Sequence, residues 1–312
     1  MPTGHFISIH DVNAEEVAGL FRLAADVKAH PGKYADALKQ KSLGMIFEKS
    51  STRTRVSFEV GMVQMGGHAL FLSSRDIQLG RGEPISDTAQ VLSRYVDGIM
   101  ARTFAHQTVL DLARYGTVPV VNGLTEDLHP CQAMTDYFTL GEVFGFDGLR
   151  GRKLAYVGDG NNMAHSLMFG AAKVGMDVAI ASPKGYEVNE KYADLVRQDA
   201  AAAGTKVLLT NDPREAVAGA ACVYTDVWAS MGQEEEAKER LRAFAGFTVD
   251  RELMAAAAGD AVFLHCLPAH RGEEVSADVA DGPQSRIFDE AENRLHVQKA
   301  ILLWLMAGTA LP

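Results

Sequence analysis

Short apolar runs, several rich in β-branched residues, alternate with stretches of helical periodicity along almost the whole chain, and this alternation limits the folds open to it more than any other feature. The runs are LGMIF (43–47), HALFL (68–72), DGIMA (97–101), VPVV (118–121), KLAYV (153–157), DVAIA (177–181), KVLL (206–209), ACVYT (221–225) and AVFLH (261–265). Between them, apolar residues recur at helical spacing. Val56, Val60 and Val63 share one face, and Leu167, Ala171 and Val174 share another. Ser86 before DTAQVLSRY and Pro213 before REAV are helix-start signals. Strand–helix alternation of this kind predicts an α/β fold with mostly parallel sheets flanked by helices.

A chain of 312 residues is long enough for two domains. The Gly-rich, charged stretch GEVFGFDGLRGRK (141–153) is the expected join, giving domains 1–144 and 145–285. The last segment, DEAENRLHVQKAILLWLMAG (289–308), reads as one amphipathic helix. No run approaches the roughly 18 apolar residues of a membrane span. MPTGHFISIHDVNAEE lacks the basic-then-apolar order of a secretory signal. Cys131, Cys222 and Cys266 are few and far apart, which fits a reducing cytoplasm better than a disulfide framework.

The formal net charge of −10 argues against nucleic acid or an acidic membrane surface as a partner. FEKSSTRTRVSFEVG (47–61) nevertheless concentrates arginines and hydroxyls at one turn. A local anion site in an anion-repelling chain is the expectation. In open parallel sheets ligands bind beyond the carboxyl ends of the strands, where the crevice lies. Six strand ends here lead into polar clusters: EKSSTRTR, Arg102-Thr103, TEDLHPCQ, GDGNN, DVWASMG and HCLPAHRG. The first three fall in the first half and the last three in the second, so two facing sheets would gather them in one cleft.

Each cluster has its own chemistry. A helix beginning near Ser51 or Thr52 aims free backbone N–H groups at whatever precedes it. Ser51, Thr52 and Thr54 add hydroxyl donors, and Arg53 can fork onto a phosphate. Isolated, an arginine at a helix start is usually a solvated cap; the donor density here favours phosphate. His129 precedes Pro130, a residue suited to a first helical turn, and can donate to an oxygen. GDGNN (158–162) falls short of a dinucleotide fingerprint, with Met163 at the sixth position and no acid after IASPK (180–184). Its asparagines suit an amino-acid carboxylate, and a plain turn is the bland alternative. Asp226 is a lone carboxylate at a strand end, suited to a ligand ammonium. Cys266 and His265 are neighbours on a strand and point to opposite faces, so a ligand-contact role is preferred to a nucleophilic dyad. The histidines and cysteines show no zinc spacing, and neither metal nor cofactor is expected.

Taken together and in this order, STRTR (51–55), HPCQ (129–132), DVWASMG (226–232), HCLP (265–268) and NRLHVQKA (293–300) resemble the aspartate/ornithine carbamoyltransferase family, and within it the ornithine carbamoyltransferases. The likeness spans essentially the whole chain. It implies an N-terminal carbamoyl-phosphate domain, a C-terminal ornithine domain, and a final helix (286–312) that packs back on the first. It implies homotrimers, or multiples of trimers, with active sites shared between subunits, where Gln78 of DIQLG (76–80) is lent to the neighbour. By matching position, Ser51, Thr52, Arg53 and Thr54 would hold the phosphate. Arg102, His129 and Gln132 would surround the carbamoyl group. Asn162, with Asn161 as its alternative, and Asp226, Ser230 and Met231 would hold the α-carbon end of ornithine. Cys266, the Leu267 carbonyl and Arg294 would complete the reacting centre, with Arg102, His129 and Cys266 in catalytic roles.

The implied reaction joins carbamoyl phosphate to the δ-amine of L-ornithine, giving L-citrulline and phosphate, a step of arginine biosynthesis. Thr54, Arg102 and His129 would stabilise the tetrahedral oxyanion; in other enzymes each such donor supplies about 3–4 kcal/mol. A transferase for another amine (aspartate, putrescine or acetylated ornithine), an NAD-dependent oxidoreductase and a phosphate-sensing module are the competing readings.

Overall fold

The computed structural model describes residues 4–77, 82–229 and 236–312. It divides into two units, one of residues 1–135 and 292–312, the other of residues 136–291.

The first unit holds a four-stranded parallel sheet of order β2-β1-β3-β4. Its strands are β1 (Ser42–Phe47), β2 (His68–Ser73), β3 (Gly98–Arg102) and β4 (Val120–Leu124). Its helices are α1 (Ala14–Ala29), α2 (Thr52–Gln64), α3 (Ile85–Leu92) and α4 (His106–Tyr115). Helix α5 (Pro130–Phe144) leads from this unit into the other. β1 and β3 are buried because both faces of a parallel sheet are covered, and Ile46, Ile99, Ala101 and Val120 pack with Val109 and Leu112 of α4. The chain leaves β1 toward β2 on one side and returns as β3 on the other. The topological switch point, where a crevice opens, therefore lies between β1 and β3, whose last residues Phe47 and Arg102 are in register.

The second unit repeats the plan with a five-stranded parallel sheet of order β7-β6-β5-β8-β9. These are β5 (Lys153–Val157), β6 (Asp177–Ala181), β7 (Val207–Thr210), β8 (Cys222–Thr225) and β9 (Val262–His265). The helices are α6 (Asn162–Val174), α7 (Glu190–Ala203), α8 (Pro213–Val217), α9 (Ala237–Ala243), α10 (Arg251–Met254) and α11 (Ala277–Ala280). The switch point here lies between β5 and β8. Helix α6 packs so closely that a Cβ on Gly170 would fall 2.3 Å from the Tyr137 ring, whose hydroxyl donates to the Leu167 carbonyl at 2.6 Å. Helix α12 (Ile287–Met306) returns the chain to the first unit. There Lys299 donates to Gln64 Oε1 at 3.0 Å, and its stem lies against Gly61.

The α/β reading and all nine expected strands stand. The face that carries Val56, Val60 and Val63 is not the one helix α2 buries. Val56, Val60 and Val63 are 49%, 37% and 66% exposed, and α2 buries Thr54, Phe58 and Met62 instead. Leu70 and Phe71 on the edge strand β2 are exposed as well. Helix α1 carries no signal used above, yet Asn13 and Glu16 form a reciprocal capping box at its start. Among the described residues no helix is long and apolar enough to cross a membrane.

Candidate active site

The first unit gathers its expected residues around the β1/β3 crevice. Ser51 is the N-cap of α2, its hydroxyl accepting from the Thr54 N–H at 3.2 Å. Ser51 and Arg53 are half-buried and Thr52 is exposed, so the helix start is open to a ligand, while Thr54 is buried. Arg102 ends β3 and is buried. His129, immediately before α5, is buried too. Its pKa lies well below the usual imidazole range, first because of burial and then because Arg294, Arg102 and Arg53 repel a further positive charge. His129 is therefore a neutral imidazole at neutral pH. Arg294, Arg102 and Arg53 thus bring positive charge to bear on His129 in a protein whose net charge is −10. An anion bound there meets a local field opposite in sign to that of the molecule.

Arg294 enters this cluster from the far end of the sequence. Its guanidinium donates to Gln132 Oε1 at 2.5 Å and to Thr54 Oγ1 at 3.1 Å. With the Gln298 amide turned so that both its ends are satisfied, Gln298 Oε1 accepts from Arg294 at 2.8 and 2.9 Å and its amide nitrogen donates to Ser57. Arg294 thus fixes Thr54 and Gln132 in place. Arg55, the second arginine of STRTR, turns away, stacked 3.8 Å over the Phe71 ring and paired with Glu59. Lys49 was not singled out in the sequence. It lies half-buried over the Phe104 ring, and burial lowers its pKa.

The second unit assembles its residues at the β5/β8 crevice. Asn161 is the N-cap of α6, accepting from Met163 and Ala164, and its amide donates to Asp226 Oδ2 at 3.0 Å. Asn162 is the first helical residue, and its carbonyl accepts from Ser166. Thr225 and His265 are in register across β8 and β9, which places the next residues, Asp226 and Cys266, side by side. The Cys266 thiol donates to Asp226 Oδ1 at 3.1 Å, and the Val227 N–H reaches the same oxygen at 2.8 Å. Burial and the Asp226 charge push the Cys266 thiol well above its usual range, so Cys266 is a donor and not a thiolate. The His265 ring nitrogens are engaged elsewhere. Its Nε2 meets Glu274 at 3.2 Å, and its Nδ1 accepts the Leu267 N–H at 2.9 Å. Asp226, His265 and Cys266 bring one donor atom each within 4.8 Å, a grouping that residue spacing alone did not suggest.

Two further residues brace this site. Arg240 donates to Asp159 Oδ2 at 2.6 Å and to the Trp228 carbonyl at 2.9 Å, tying the segment after β8 to the GDGNN turn. Gly160 allows the turn to press against its neighbour, since a Cβ there would sit 2.2 Å from the Val188 nitrogen. Neither Asp159 nor Arg240 has a local sequence signal, because their contact spans 81 residues. Gln78, Ser230 and Met231 lie outside the described residues.

The chain matches two family models: "Aspartate/ornithine carbamoyltransferase, carbamoyl-P binding domain" over residues 4–142, and "Aspartate/ornithine carbamoyltransferase, Asp/Orn binding domain" over residues 150–305. It is 59% identical to an ornithine carbamoyltransferase of Anoxybacillus flavithermus over 303 residues, covering 96% of each chain. It is 56% identical to a catabolic ornithine carbamoyltransferase of Halobacterium salinarum, over 96% of this chain and 97% of that one. Among solved structures, the ornithine carbamoyltransferase of Pyrococcus furiosus matches with a TM-score of 0.94 at 52% identity, covering 98% of both chains.

Proposed function

The chain belongs to the aspartate/ornithine carbamoyltransferase family, and from that premise we infer how its two sets of residues serve one reaction. The protein is an enzyme that transfers the carbamoyl group of carbamoyl phosphate to the δ-amine of L-ornithine, giving L-citrulline and phosphate. The observation that carries the site assignment is Arg294 donating to both Thr54 and Gln132, in a cluster whose arginines keep the buried His129 neutral.

In this reading residues 1–144 form the carbamoyl-phosphate domain, with 286–312 packed back on it, and 145–285 the ornithine domain. The open start of α2, with Ser51, Thr52, Arg53 and Thr54, takes the phosphate. Arg102, His129 and Gln132 surround the carbamoyl group, and Arg294 holds Gln132 and Thr54 toward it. The neutral δ-nitrogen attacks the carbamoyl carbon, and negative charge grows on the carbonyl oxygen. Donors already fixed around that oxygen lower the barrier because they need no rearrangement as charge develops. A neutral His129 contributes an N–H donor without competing with the arginines for the anion. The carbon–oxygen bond to phosphate then breaks, and the phosphate takes the amine's proton. Aligning the two substrates supplies much of the remaining acceleration.

Asp226 holds the α-ammonium of ornithine. A carboxylate offers about four lone-pair sites. Asn161, Cys266 and Val227 occupy three of them, which leaves one for the ligand. Asn162, Ser230 and Met231 complete the amino-acid end, and Cys266 and the Leu267 carbonyl meet the reacting centre. Gln78 reaches a neighbouring subunit's site in a homotrimer. The exposed apolar set Val56, Val60, Val63, Leu70 and Phe71 supports such an assembly. The free thiols Cys131, Cys222 and Cys266 support a reducing cytoplasm.

A citrulline assay with carbamoyl phosphate and a panel of amines tests the reading. Turnover with ornithine and not with aspartate or putrescine is expected; preference for another amine overturns it. Growth of a citrulline-requiring strain carrying this chain tests the assignment to arginine biosynthesis.

A further inference from the structure

Asp136 and Glu290 are 0% and 1% exposed, and their carboxyl groups lie beside each other inside the second unit. Two neighbouring carboxylates shut away from water cannot both keep a charge, so a proton is needed between them. Glu290 also anchors a strand end. Its Oε2 accepts the His265 N–H at 3.0 Å, and its Oε1 accepts from the Tyr224 hydroxyl at 3.3 Å. From His265 the chain of contacts continues to the next turn, since its Nδ1 accepts the Leu267 N–H. The neighbouring Cys266 thiol is bonded to Asp226.

We propose that Asp136 and Glu290 hold one proton between them, and that Glu290 held in this way is a positioning residue for the 266–267 turn and hence for ornithine. The inference deepens the functional reading above and rests on it for the ornithine step alone.

The groups facing the pair explain why the proton stays. Asp136 and Tyr137 come from α5, Tyr224 and Cys222 from β8, and His265 and Cys266 from the end of β9. Burial, reinforced by the Asp136 charge, holds the Glu290 carboxyl well above the usual carboxylate range. If the proton leaves at alkaline pH, two buried negative charges repel. The Glu290 carboxylate then turns from Asp136, and the His265 amide loses its acceptor.

Infrared spectroscopy of the full-length protein reads the proton without any substrate. Wild type at neutral pH is expected to show the carbonyl band of a protonated carboxyl group in a dry environment, and Glu290→Gln and Asp136→Asn to lack it. Glu290→Gln keeps the geometry, its amide donating to Asp136 as the shared proton does. Its KM, expressed as the concentration of ornithine with a neutral δ-amine, is therefore expected to match wild type near neutrality and to stay flat at alkaline pH, where that of wild type rises. Glu290→Leu cannot accept the His265 N–H, and should raise the KM for ornithine about tenfold with carbamoyl-phosphate affinity unchanged. Absence of the protonated band from wild type, or its persistence in both Glu290→Gln and Asp136→Asn, overturns the shared proton. A KM for ornithine that rises equally with pH in wild type and Glu290→Gln overturns the positioning role. A correct band pattern in a protein that makes no citrulline overturns the ornithine reading and leaves the shared proton standing. Should Glu290→Leu not fold, the band and the Glu290→Gln profile decide.

Discussion

The Cys266 thiol lies 3.1 Å from Oδ1 of Asp226 and donates its proton there. A thiol held by a carboxylate is a poor nucleophile, because the anion beside it opposes formation of a thiolate. Cys266 therefore acts through its hydrogen bond. Cys266→Ser keeps a donor of similar reach and should retain activity within about tenfold of wild type, whereas Cys266→Ala should lose more. Iodoacetamide should label Cys266 slowly at neutral pH. Rapid labelling, or Cys266→Ser and Cys266→Ala with equal activity, would refute the donor role.

Asp226 is the acceptor on which Asn161, Cys266 and Val227 converge. Removing it strands buried donors, at about 1–3 kcal/mol for each one left unsatisfied. Asp226→Ala is expected to raise the KM for ornithine at least tenfold while carbamoyl phosphate still binds. Calorimetric titration of each substrate in turn makes the comparison, and equal loss of both would place Asp226 elsewhere in the reaction.

His129 gives a pH prediction with a definite sign. Its folded pKa lies below the value of about 6.5 that it takes in the unfolded chain. Below pH 6.5 the unfolded state binds the extra proton and the folded state does not. The contribution to stability is thus complete above about pH 6.5 and is lost as pH falls, by up to about 1.4 kcal/mol per pH unit. His129→Gln keeps an N–H donor and should flatten that part of the stability curve in denaturant titrations. It should also keep more activity than His129→Ala. A slope unchanged in His129→Gln would rule out this source.

The strands and the polar helix start after β1 were legible because their signals are local. STRTR sits three residues after an apolar run, and DVW and HCLP each lie at the end of one. What was not legible came from pairing. The choice between Asn161 and Asn162 depends on which side chain caps α6, and the cap bond to Met163 forms only once the helix exists. Asp159 and Arg240 meet across 81 residues, and Asp136 reaches Glu290 from another helix. The stripe of Val56, Val60 and Val63 located helix α2 but not its buried face. Periodicity shows that residues share a face, and it does not say whether that face is covered by the same chain.

Arg240 tests how much the candidate site at the β5/β8 crevice owes to its braces. Its guanidinium holds Asp159 and the Trp228 carbonyl, and both ion-pair partners are largely shielded from solvent. Arg240→Met should destabilise the fold by about 3–5 kcal/mol, the range seen when a buried ion pair loses one partner. It should also raise the KM for ornithine, because the segment after β8 loses its tie to the GDGNN turn. Asp159→Asn in the same chain removes the stranded charge and should recover much of the stability. It should not restore the KM, since the fork onto Asp159 and Trp228 is still missing. Urea denaturation of the two variants, read with ornithine kinetics, separates the effects. Recovery of both by the second substitution would show that Arg240 only balances charge.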